Sequence, residues 1–187
     1  MPQRDKYREK ILNALLFFAK ELKEPYKTSL FKMLWHFDYE HFKQTARDVT
    51  NESYLAMDNG PVPKGLYSEM TGNSLPEDFA RHFDVERPKP DQMILRAKTD
   101  ADLNVFTPRQ IEILKSIVSK YRSYSARRLC ESTHAEGDPW KRTYIQDTKR
   151  IIDLADVGEI PNGLTPDDVR EYKESRKLSQ TYSDLPF

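Results

Sequence analysis

The sequence predicts a mainly α fold, a compact helical domain with a small β element, and three observations carry that expectation. Apolar residues recur at helical spacing through most of the first 45 positions. A capping box opens a third strongly periodic segment at Thr107. Between these segments lie only short extended runs, bounded by glycine and proline.

The first helix is predicted over residues 5–22. Tyr7, Ile11, Leu15, Phe18 and Leu22 form one stripe at steps of four, four, three and four, and Leu12, Leu16 and Ala19 widen it. After Pro25, residues 28–45 place Leu30, Leu34 and Phe37 on one face, with Phe31, Met33, Trp35 and Phe42 spread around the others. A helix apolar on every side belongs at the centre of a fold. Past Arg47 the pattern changes to an extended stretch, Tyr54-Leu55-Ala56-Met57, followed by Asp58-Asn59-Gly60-Pro61-Val62-Pro63. Asn59 and Gly60 tolerate positive φ, and each proline removes an N–H and extends the residue before it. This tail therefore reads as a turn, a fixed connection into a helix that starts at Pro63 and holds Leu66, Tyr67 and Met70.

Ser74, Pro76 and Phe79 predict a further helical turn before the break at Pro88-Lys89-Pro90, and residues 92–97 predict a second strand. In Thr107-Pro108-Arg109-Gln110 a Thr N-cap is followed by Pro at the first helical position and Gln at the third. The helix it opens carries the stripe Ile111, Leu114, Ile117, Val118 and Tyr121. Ser123 is placed to cap a helix reaching His134, which Ala135-Glu136-Gly137-Asp138-Pro139 breaks before Trp140. Thr165-Pro166-Asp167-Asp168 starts a last, polar helix through Lys177, with Val169 and Tyr172 as its anchors. The final ten residues are expected to be loose.

No apolar run approaches the ~20 residues of a membrane-spanning helix, which excludes the membrane as a partner. No apolar stretch follows the charges of Met1-Pro2-Gln3-Arg4-Asp5-Lys6, and the single Cys130 has no mate for an intramolecular disulfide. The expected compartment is the cytoplasm. Thirty basic and thirty acidic side chains cancel over the chain but not along it. Residues 106–150 carry 10 basic against 5 acidic groups, and residues 151–187 carry 4 against 8. So modest a basic excess, flanked by acidic blocks, suits internal pairing or a protein partner better than a phosphate backbone.

The residues that carry chemistry form no familiar constellation. His36, His41, His82 and His134 are not paired with further ligands at a metal-binding spacing, and Cys130 lacks a second cysteine. The six glycines build neither a Walker loop nor a dinucleotide loop. The expectation is a protein that is not an enzyme and uses no cofactor. Residues 28–63 admit a second reading, a winged-helix-like module whose Lys43 and Arg47 meet phosphates of operator DNA.

The most specific stretch runs from Leu30 to Tyr67. It holds Leu30-Phe31-Lys32-Met33-Leu34-Trp35, then Asp38, His41 and Phe42, then Tyr54, Ala56 and Met57, then Gly60-Pro61-Val62-Pro63 and Leu66-Tyr67. Together these resemble the Panacea domain, the SocA-like antitoxin family of bacteria, phages and mobile elements. The later Ser125, Leu129, His134 and Trp140 are similar to the family's closing segment, so the resemblance covers about residues 10–145. It implies a helical domain over residues 1–150 and leaves residues 151–187 as an acidic extension with one helix, packed on the core or binding a partner. It also implies the antitoxin of a type II-like toxin–antitoxin system, whose partner is a cognate protein toxin and in some members a protease to which the toxin is delivered. Among the motif residues, Phe31, Trp35, Phe37 and Trp140 read as core. Lys32, Asp38, His41 and His134 are polar groups in an apolar motif, and form either one buried hydrogen-bonded network or the lining of a binding cleft.

Overall fold

The computed structural model describes residues 3–70, 75–134, 138–146 and 150–183. Helix α1 (Gln3–Glu21) leads to α2 (Lys27–Thr45), then to strands β1 (Tyr54–Met57) and β2 (Gly60–Pro63) and the short helices α3 (Lys64–Glu69) and α4 (Glu77–Ala80). A second hairpin follows, β3 (Phe83–Glu86) with β4 (Ile94–Ala97), and then a 3-10 turn at Leu103–Val105. Helices α5 (Pro108–Tyr121), α6 (Ala126–Glu131) and α7 (Pro139–Gln146), strand β5 (Ile151–Ile152) and helix α8 (Pro166–Ser183) complete the fold. It is mainly α with a small β element.

Helix α2 is the axis. Its side chains are buried from Ser29 through Asp38 and again at His41 and Phe42, because α1, α5, α6 and β2 surround it. A helix enclosed in this way offers no free face to a DNA groove over Ser29–Asp38, while Lys43 and Arg47 stay exposed or half-exposed at its end. The larger core lies between α1, α2 and α5, where Phe18, Phe37 and Phe106 meet edge to face at centroid distances of 6.4 and 5.7 Å. A smaller cluster on the other side of α2 joins Trp35, Phe42, Tyr54 and Trp140 to Ile152, Leu154, Val169 and Tyr172. Residues beyond 150 thus pack on α2 rather than on α1, while Ile151 and Ile160 stay exposed.

The capping box forms as predicted: Thr107 Oγ1 accepts from the Gln110 N–H, and the Gln110 side chain accepts from the Thr107 N–H. Thr107→Ala is expected to lower stability by about 1 kcal/mol, read from the shift in a urea midpoint. In the stripe of α5, Ile113 is buried where Ile111 is only half-buried. The next helix is capped by Ser125 and not by Ser123, because the Tyr124 N–H still turns back to the Tyr121 carbonyl. The last helix runs on to Ser183 rather than ending at Lys177.

The tail after Met57 is the largest departure from expectation. Only Asp58 and Asn59 turn; Gly60–Pro63 is itself a strand, antiparallel to β1, with Met57 opposite Gly60, Ala56 opposite Pro61, Leu55 opposite Val62 and Tyr54 opposite Pro63. Two prolines fit because bonded and unbonded pairs alternate in an antiparallel ladder. Met57–Gly60 closes the two-residue turn and the Lys64 N–H reaches the Ser53 carbonyl at 2.7 Å, so Pro61 and Pro63 fall on the unbonded positions. The sheet order is β2-β1-β5, which leaves the prolines on an edge. Pro63 then serves as the N-cap of α3, which starts at Lys64, one residue later than predicted.

Candidate functional site

The structure divides the motif residues between two faces of α2. On one face Lys32, with 1% of its surface exposed, donates from Nζ to the Pro61 carbonyl at 2.7 Å. That carbonyl is available because Pro61 turns its polar groups away from β1. Gly60 has φ +94°, and a Cβ added there would overlap Thr133 Oγ1 and lie 3.1 Å from Lys32 Nζ and 3.2 Å from His134 Nε2. Glycine thus lets the end of α6 settle onto the hairpin.

From there a stack of rings continues outward. His134 lies flat on Trp140 at 4.0 Å between centroids, and Trp140 on Tyr144 at 4.8 Å. Trp140 Nε1 donates to the Met57 carbonyl at 3.0 Å, fastening α7 to the hairpin tip. Its backbone N–H is capped at 2.8 Å by Asp138, whose carboxyl is pushed up to about 7 by burial. Burial pulls Lys32 down to about 8, with Cys130 acting against the shift. Burial also lowers His134, aided by Lys32 and opposed by Glu131. Val62 is half-buried beside this group and belongs to the larger core.

On the other face Asp38 is wholly buried and accepts four hydrogen bonds. They come from the Val49 N–H at 2.8 Å, the Thr50 N–H at 2.9 Å, the Thr50 hydroxyl and the Tyr54 hydroxyl at 2.7 Å. Burial pushes its carboxyl up, and the four donors hold the charge against that push. The bonds tie the loop after α2 to β1. His41 stands apart: its Nδ1 meets the Arg47 carbonyl at 2.7 Å and the Thr45 hydroxyl at 3.1 Å, where Ala46 ends α2 at φ +51°. Lys32, Asp38, His41 and His134 therefore form three local groups rather than one network. Thr50 and Thr133, absent from the predicted set, complete two of them; a single hydroxyl amid polar neighbours gave no signal in the sequence.

The last helix adds a clamp that the sequence did not show. Arg176 reaches the Asn51 and Glu52 carbonyls, each at 3.2 Å, and Asp48 at 3.4 Å, while the Tyr172 hydroxyl donates to Asp48 at 3.1 Å. A cleft of about 320 Å³ lies alongside, bordered by Tyr7, Arg47, Asn51 and Glu171. Burial first, and the charge of Asp38 second, raise Asp48 to about 6 against the pull of Arg176. Because folding raises this pKa, Asp48's share of stability falls as pH rises through about 6. Arg176→Met is expected to cost about 2 kcal/mol and to raise the Asp48 midpoint further, as read by NMR titration of its carboxyl carbon.

No helix among the described residues is long and apolar enough to cross a membrane. No curated protein and no solved structure matches the chain. The family described as antitoxin SocA-like, Panacea domain, matches residues 30–141, from the first turns of α2 to Trp140 and Lys141 in α7. That match takes in more than half of the chain and every motif residue placed above, and by it the chain belongs to the SocA-like antitoxin family of Panacea domains.

Proposed function

We propose that this protein is a cytoplasmic antitoxin of a type II-like system, which neutralises a cognate protein toxin by binding it directly and performs no chemistry on it. The observation that carries the reading is the family match over residues 30–141, which spans the residues that assemble around the β1–β2 hairpin. The hairpin tip, flanked by the half-buried rings of His134 and Tyr144 that enclose the buried Trp140, is the face we assign to the toxin. Stacked aromatic side chains next to buried polar groups are the material of interface hot spots.

The test uses the reading frame adjacent to this one. Its product, expressed alone, is expected to arrest growth, and co-expression with this chain to restore it; the two proteins should then elute together at a fixed ratio. Growth restored only in cells with an intact protease would identify delivery for degradation in place of masking. A harmless neighbour, together with sequence-specific binding of this chain to its own promoter DNA, would replace the antitoxin with a regulator.

A further inference from the structure

The basic excess over residues 106–150 suits internal pairing or a protein partner, and at the corner between α5 and α6 the internal partners are missing. Lys120, Arg122, Arg127 and Arg128 stand exposed there. Arg127 pairs with Glu131 at 3.1 Å. Glu40, the carboxylate whose charge reaches Lys120, is already paired with Lys43 at 2.8 Å. Among the described residues no carboxylate forms an ion pair with Lys120, Arg122 or Arg128.

A ladder of rings holds these cations in place. Tyr121, buried, lies flat on His36 at 4.4 Å between centroids and meets Tyr124 edge to face at 5.3 Å. Lys120 Nζ sits over the Tyr121 ring at 5.0 Å, and the Arg128 guanidinium over the Tyr124 ring at 3.9 Å. A guanidinium laid on a ring keeps its N–H donors in its own plane, ready to receive a carboxylate through two parallel bonds. The backbone is fixed as well: the Arg122 N–H reaches the Val118 carbonyl and the Tyr124 N–H the Tyr121 carbonyl, both at 2.9 Å. From this corner α6 leads to the β1–β2 hairpin, where Thr133, just past its end, packs against Gly60.

We propose that this corner is a docking surface for an acidic protein face, whose Asp and Glu side chains pair with Arg122 and Arg128 while Lys120 adds a third charge. It deepens the antitoxin reading by naming the chemistry of the partner, and rests on that reading for the partner's identity alone. Two observations favour a protein over a nucleic acid. The chain has no net charge with which to draw in a polyanion, and the half-buried Tyr124 is already stacked by Arg128, which leaves a base little platform.

The experiment compares the wild type with Arg122→Glu and with the double variant Arg122→Glu/Arg128→Glu. Arg122 has no side-chain partner among the described residues, so its single variant is expected to melt with the wild type and to carry the test should the double unfold. Association with the product of the adjacent frame, followed by stopped flow, is expected to slow by about tenfold or more in the double variant and to lose most of its salt dependence. A second probe, poly-L-glutamate, should shift the Nε–H signals of Arg122 and Arg128 by NMR and leave those of the other arginines in place. Wild-type association by the folded variants overturns the surface, as do poly-L-glutamate shifts spread evenly over the exposed arginines. A short DNA duplex that shifts these two signals more strongly than poly-L-glutamate at equal ionic strength also overturns it, and gives the corner to nucleic acid. If poly-L-glutamate binds at the corner but the wild-type chain forms no complex with the adjacent product, the surface stands and the antitoxin reading falls.

Discussion

Asp38→Ala is expected to destabilise the domain by about 3–5 kcal/mol, a large share of the roughly 5–15 kcal/mol that holds an ordinary domain together. The carboxylate accepts from two backbone N–H groups and two hydroxyls inside the protein, and the truncation strands all four donors out of reach of water. Each unsatisfied buried donor costs about 1–3 kcal/mol, and relaxation of the loop at Val49 and Thr50 recovers only part of the sum. Tyr54→Phe removes one of the four and should cost about 1 kcal/mol. Urea unfolding followed by circular dichroism measures both. An Asp38→Ala midpoint close to wild type would show that the loop after α2 does not depend on this carboxylate.

Gly60→Val is expected to cost about 3 kcal/mol or more, from two sources that act together. Its φ of +94° lies in a region that a β-branched residue avoids, and the added Cβ would overlap Thr133 Oγ1. The hairpin cannot step aside, since Trp140 holds the Met57 carbonyl and Lys32 holds that of Pro61. Gly163 supplies the control: at φ +92° it shares the backbone strain, but nothing lies within 4 Å of its missing Cβ. The difference between Gly60→Ala and Gly163→Ala, read from melting temperatures, isolates the packing share. Equal losses would mean that the approach of α6 to the hairpin is not tight.

The long periodic elements were legible in the sequence, because α1, α2 and α5 each carry an apolar stripe or a complete capping box, and both signals are local. The strands were less so. β3 buries only Phe83 and exposes Asp84, Val85 and Glu86, so it has no alternation to detect. β5 has two residues and exists because β1 offers it an edge. Gly60–Pro63 carried two prolines, which argue against a strand unless the register is known. Within the site, the residue types of the motif pointed to buried polar groups, yet not to how they divide. Lys32 and Asp38 lie six positions apart on α2, which places them on different faces and gives them different neighbours. Thr133 and Arg176 act through contacts far away in sequence, 125 positions for Arg176 at Asn51, and no local pattern announces such pairs.

The prolines of β2 also decide how this molecule meets its own kind. An open strand edge is a template on which another chain can add a strand, and that route leads to fibres as readily as to complexes. On β2 the outward positions belong to Pro61 and Pro63, which have no N–H to offer, and the outward carbonyl of Pro61 is already occupied by Lys32. A stranger arriving along that edge finds no ladder to continue. Crowded copies of the protein are thereby kept from zipping together through this edge of the hairpin, and any partner that meets it does so through side chains rather than by strand addition.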